Sequence, residues 1–266
     1  MGKGYTVQKI KTEGVKILIL RPTKNVKERS KTPGILWIHG GGYVTGMAGM
    51  VYISRALNLV KKYGAVVISP EYRLAGKAPY PAALEGCYKA LLYLKNHAAE
   101  LGCNVDQIMV GGESAGGGLT AALCMYARDK GEVKIAFQMP LYPMLDDRDT
   151  ESSRDNHGIS WNTKRNHAAW KKYLANVKGT IPSYAVPARE TDYSTFVGNS
   201  EAFYCETLEY IDNLNRAGVP ARVDVYPSGF HAFDMLLPFH KISKEAVLAF
   251  EEQYLYAQEH YFGKEE

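Results

Sequence analysis

The chain has 266 residues, 46% of them hydrophobic and 23% charged. That balance belongs to a folded globular domain and excludes disorder, collagen-like repeats and a disulfide-stapled miniprotein. A net charge of +4 without a basic cluster gives no footing for nucleic-acid binding, and the pairs Lys61-Lys62 and Lys171-Lys172 read as solvated helix faces.

In chain order, Val15 to Leu20 reads as a strand, and Ile35 to Ile38 as a short buried one after the Pro33-Gly34 turn. Tyr52 to Tyr63 has helical spacing and is stopped by Gly64. Ala65 to Ser69 follows as a strand, then a helix from Pro81 to Ala99. A strand at Ile108 to Gly111 leads into a helix at Ala115 to Arg128, and Ile135 to Leu141 is a fifth strand. Thr195 to Gly198 and Val223 to Tyr226 are two later strands, with helices at Tyr204 to Ala217 and Ser243 to Tyr261. Apolar strands alternating with amphipathic helices predict an α/β fold with a mostly parallel central sheet covered on both faces. The whole chain reads as one domain, 1–266. Residues 146–176 break the rhythm as a cap or lid insertion, a polar stretch leading into a helix at Trp161 to Asn176. No apolar run approaches the roughly 20 residues of a membrane span, and the polar opening has no leader pattern. The four cysteines lack CxxC spacing and read as free thiols of a cytoplasmic protein.

The 25 glycines are uneven: eight fall in Gly40–Gly42 and Gly111–Gly118. Gly112-Glu113-Ser114-Ala115-Gly116 matches the G-x-S-x-G nucleophile elbow, with a strand before it and a helix after it. His39-Gly40-Gly41-Gly42-Tyr43 also follows a strand. Acyl transfer needs backbone N–H donors aimed at a developing oxyanion, and glycines let the main chain come close. Gly41 and Gly42 are the expected donors, with Ala115 as the third and Tyr43 beside the substrate. A phosphate-binding loop is excluded, since neither G-x-G-x-x-G nor a G-K-[ST] ending is present.

A serine needs a base. Chain order in this type of site is Ser, acid, His, which selects His231; His240 and His260 read as surface or packing residues, as do His97, His157 and His167. His39 reads as a loop brace. Glu201 is the expected acid, with Asp192 and Glu206 as rivals; Asp192 precedes the strand and Glu206 sits a turn into the next helix. No histidine pair has metal-ligand spacing, so neither metal nor cofactor is expected.

These residues resemble the hormone-sensitive-lipase-like group of α/β-hydrolases, the bacterial family IV esterases, over Gly34 to Leu236. His39-Gly40-Gly41-Gly42 is similar to its oxyanion motif. Glu71-Tyr72-Arg73-Leu74-Ala75 with Pro79 to Leu84 resembles its Y-R-L-A … P-A-A-L segment. Gly112 to Gly117 resembles its G-D-S-A-G-G elbow, with Glu113 for Asp. His231-Ala232-Phe233 resembles its H-G-F motif, with Ala232 for Gly. The resemblance implies an α/β-hydrolase fold with a reduced cap, a serine carboxylesterase for small short-chain esters, and pairing of two copies through the edge near Val223 to Tyr226. Alternatives on the same fold are a small-molecule-binding protein and an acyl-peptide hydrolase. The sequence departs from the group in three places. Only 14 residues precede Val15, which implies a more open acyl pocket. The acid motif, Glu201-Ala202-Phe203-Tyr204-Cys205, lacks the group's Pro and second Asp. About six residues are missing between Asp192-Tyr193-Ser194 and the strand before Glu201.

Overall fold

The computed structural model describes residues 4–24, 28, 31–189, the two-residue strand Val197–Gly198, and 202–263. Glu201 and Asp192, the expected acid and its first rival, lie outside these residues, as do Thr195 and Phe196 of the expected strand.

The strands are β1 (Tyr5–Thr12), β2 (Val15–Pro22), β3 (Pro33–Ile38), β4 (Val66–Glu71), β5 (Asn104–Glu113), β6 (Phe137–Leu141), β7 (Val197–Gly198) and β8 (Val225–Tyr226). Six of them form one sheet in the order β1-β2-β4-β3-β5-β6. β3, β4, β5 and β6 run parallel, while β1 and β2 are antiparallel to their neighbours. β7 and β8 pair parallel in a separate two-stranded ladder. The helices are α1 (Arg55–Tyr63), α2 (Ala82–Asn96), α3 (Ala98–Leu101), α4 (Ala115–Lys130), α5 (Thr163–Tyr173), α6 (Tyr204–Arg216), α7 (Phe233–Leu236) and α8 (Lys241–His260).

The parallel strands are buried along their length. β3 is buried at all six positions, and β5 from Gln107 onward. Such strands read as continuous apolar runs because helices cover both faces. One core layer packs β-strand residues such as Leu36, Ile38 and Val110 against α2 and α4; the other packs Ile35, Trp37 and Met109 against α1 and α8. Four of the sheet's strands thus end at one carboxyl edge, the place where sites form in α/β sheets.

β1 and α1 differ from expectation. β1 is a strand the apolar pattern did not show, since most of its side chains are exposed; it pairs with β2 through a hairpin at Glu13-Gly14. The helix expected from Tyr52 begins at Arg55, because the Ser54 hydroxyl accepts the Ala56 N–H at 3.2 Å and caps it there; Ala48–Ile53 is a 3₁₀ turn. Among the described residues, no helix is long and apolar enough to cross a membrane.

Candidate active site

Ser114 occupies the sharp turn between β5 and α4, at φ 56° and ψ −120°. A non-glycine residue there is strained, and the surrounding bonds hold it. Its N–H donates to the Leu141 carbonyl at 2.9 Å, and its carbonyl accepts from Met144 and Gly118, each at 3.0 Å. Leu141 ends β6, so the sheet's edge fixes the turn.

His231 reaches Ser114 from the far end of the chain. Its Nε2 lies 3.0 Å from Ser114 Oγ, and both residues are buried. The histidine sits on a tightly wound segment after β8, with Ser228 at φ 63° and Ala232 at φ 59°. Three aromatic rings surround its imidazole: Phe203 at 5.1 Å, Tyr142 at 5.2 Å and Trp161 at 6.2 Å between centroids. The Ser160 hydroxyl donates to the His231 carbonyl at 2.7 Å. Ser160 and Trp161 therefore both lie against His231.

The glycine loop after β3 lies against the elbow. A Cβ on Gly40 would stand 2.9 Å from the Glu113 carbonyl oxygen and 3.2 Å from Ser114 Cβ, so only glycine allows this approach. Gly42 has φ 58°, and a Cβ there would meet the Trp161 indole at 2.3 Å. His39 braces the loop as expected. Its ring stacks on Tyr72 at 4.1 Å, and its Nδ1 lies 2.7 Å from the Gly40 carbonyl oxygen. Burial holds its pKa below the usual imidazole value, against the opposing pull of the Gly40 carbonyl and Glu71.

Tyr43, expected beside the substrate, is instead only 1% exposed. Its ring stacks on Tyr173 at 4.0 Å, and its hydroxyl donates to the Met144 carbonyl at 2.9 Å. The ring ties the glycine loop to α5, whose Trp170 and Tyr173 enter the core. Glu206 is buried, and its carboxylate accepts the backbone amides of Leu145 and Asp146 at 2.7 and 3.3 Å. It anchors the segment after β6.

A second buried polar group lies beneath the elbow. The Arg55 guanidinium bonds Asp234 at 2.6 Å, with side-chain exposures of 9% and 1%. Trp37 Nε1 donates to Glu113 at 2.9 Å. Burial pushes the Glu113 carboxyl up to about 8; Asp234 adds to the rise, while the Trp37 hydrogen bond and Arg55 oppose it.

The residues from 35 to 235 match the sequence profile of the alpha/beta hydrolase fold family. The chain belongs to that family. This alpha/beta hydrolase is 31% identical over 256 residues to an AB hydrolase superfamily protein of Schizosaccharomyces pombe, covering 89% of the chain and 74% of that protein. It is 29% identical over 208 residues to the esterase LipI of Mycobacterium tuberculosis, covering 74% of the chain and 64% of LipI. The solved structure of a bacterial heroin esterase superposes with a TM-score of 0.84 at 32% identity, covering 93% of this chain and 82% of that one. These relatives place the hydrolase in the hormone-sensitive-lipase-like group that its motifs resemble.

The structure brings together Ser114, His231 and the Gly40–Gly42 loop, which the sequence singles out. Sequence reasoning missed Trp161, Phe203 and Tyr142 around the imidazole, and the Arg55–Asp234 pair. Tyr142 carried one usable signal, an aromatic residue placed directly after the β6 end. The others stand far along the chain from what they touch.

Proposed function

We propose that this protein is a serine carboxylesterase acting on small, short-chain esters. The observation that carries the proposal is the 3.0 Å separation of Ser114 Oγ and His231 Nε2 beside the Gly40–Gly42 loop. Ser114 attacks the acyl carbonyl while His231 takes its proton. Gly41, Gly42 and Ala115 donate their backbone N–H groups to the oxyanion. His231 then protonates the leaving alcohol. In the second half, it activates water against the acyl-enzyme, and Ser114 is released.

Glu201 is the proposed acid that orients the imidazole. Its support is the chain order Ser, acid, His and the neighbouring Phe203, whose ring packs on His231 at 5.1 Å. The enclosure of His231 by Phe203, Tyr142 and Trp161 supports small acyl groups such as acetyl. The buried Cys87, outside any disulfide, supports a cytoplasmic location.

The test is labelling with a fluorophosphonate and turnover of p-nitrophenyl esters of rising chain length. Ser114→Ala is expected to abolish labelling and to lower kcat by about 10⁴-fold or more. Acetate to butyrate should be the best substrates. Turnover by the Ser114→Ala protein at the parent rate would refute the mechanism, and a maximum at decanoate would refute the acyl preference.

A further inference from the structure

The buried group beneath the elbow holds two carboxyls and one cation. Glu113, Asp234 and Arg55 are each less than a tenth exposed. Arg55, at the start of α1, is committed to Asp234 Oδ2 at 2.6 Å. Asp234, at the start of α7, follows His231 by three residues. Glu113 immediately precedes Ser114 and takes its hydrogen bond from Trp37 of β3. The remaining oxygen of each carboxyl, Glu113 Oε1 and Asp234 Oδ1, is buried with no hydrogen-bond partner. The Arg55 backbone also favours the ionised Glu113 carboxyl. Tyr226 of β8 feels the Arg55 charge together with those of Asp224, Arg222 and Glu245.

Two carboxylates against one guanidinium would leave one buried negative charge without a counter-ion, an arrangement proteins avoid by protonation. Two acceptor oxygens without a donor state the same deficit in hydrogen bonds. One proton removes both.

We propose that Glu113 is a positioning residue that carries a proton through neutral pH, holding the Ser114 elbow and the His231 turn together over the Arg55–Asp234 pair. Its loss switches the site off on the alkaline side. The proton leaves to solvent, and the uncompensated Glu113 carboxylate then competes with Asp234 for Arg55. That competition pulls on α7 and so on the His231 segment three residues before it. The raised Glu113 value of about 8 sets where this occurs.

The inference rests on the esterase reading, and Ser114→Ala tests that reading separately while supplying the blank for spontaneous hydrolysis. The experiment follows p-nitrophenyl acetate from pH 6 to 10 at a wavelength where phenol and phenolate absorb equally. The wild-type kcat is expected to fall with a midpoint near 8. Glu113→Gln is neutral, still accepts from Trp37 and supplies N–H donors. It should stay within about threefold of wild type at pH 7 and lose the alkaline fall. An unchanged alkaline limb in Glu113→Gln, or a loss of about tenfold or more at pH 7 in a folded protein, would overturn the proposal. Infrared spectra of the wild type give a readout independent of that variant's folding. A protonated-carboxyl C=O band should be present at pH 7 and vanish through pH 8. Absence of that band at pH 7 would equally overturn it.

Discussion

Replacing Arg55 by Met is the sharpest test of how His231 is anchored. The guanidinium bonds Asp234 at 2.6 Å, and Asp234 is almost wholly enclosed. Met keeps most of the volume and removes the charge. That leaves Asp234 buried without its charge partner. Removing one partner of a buried ion pair costs roughly 3–5 kcal/mol, so about 4 kcal/mol is expected. For a chain of 266 residues, unfolding entropies of about 2.1 cal/mol/K per residue convert 4 kcal/mol into a fall in Tm of roughly 7 °C. Scanning calorimetry or denaturant titration measures it. The companion variant Arg55→Met/Asp234→Leu removes both charges, and most of the stability should return. Esterase activity should fall in the single variant at temperatures where the fold is intact, because Asp234 lies three residues beyond His231. A Tm drop below about 2 °C in Arg55→Met would refute the claim that this pair is a buried, mutually dependent contact.

Two further outcomes follow from the loop and the insertion. Gly42→Ala forces a Cβ to 2.3 Å from the Trp161 indole and should disturb the proposed oxyanion donor. A kcat loss of about 10²–10³-fold is expected, read with circular dichroism to show that the fold persists; near-parent kcat would remove Gly42 from that role. Trp161→Ala opens the space beside Gly42 and His231. The preferred p-nitrophenyl ester should lengthen by about two to four carbons, at a few-fold change in specificity per methylene. An unchanged chain-length profile would show that the indole does not bound the acyl pocket.

The candidate site was legible where one short segment carries its own reason. Glycine at 40, 112 and 116 is dictated by backbone approaches of under 3 Å, and such positions admit no other residue. The central strands were legible because both their faces are buried, so every position had to be apolar. β1 was not legible, since its hairpin leaves Val7 and its neighbours largely exposed and no alternation remains to read. The start of α1 was misplaced by three residues because the apolar spacing runs through the 3₁₀ turn, whereas the Ser54 cap decides the boundary. Tyr43 was assigned to substrate contact from its place after the glycines. Its actual surroundings, Tyr173 and Trp170, come from α5, some 130 residues later. The Arg55–Asp234 pair is 179 residues apart in sequence, and no local pattern marks either partner.

Among the described residues, β7 and β8 pair with each other and not with the main sheet, which bears on heat sensitivity. Ser114 hangs on β5, a ten-residue strand paired on both sides. Among the described residues, the ladder before His231 pairs two residues of each strand. Ser114 and His231 thus belong to parts of the molecule with different resistance to opening. Short, sparsely bonded segments open locally with free energies far below that of global unfolding. On warming, the histidine should part from the serine while the six-stranded sheet still stands. The enzyme would then go silent before its tryptophans report any unfolding, and it would recover fully on cooling from that interval.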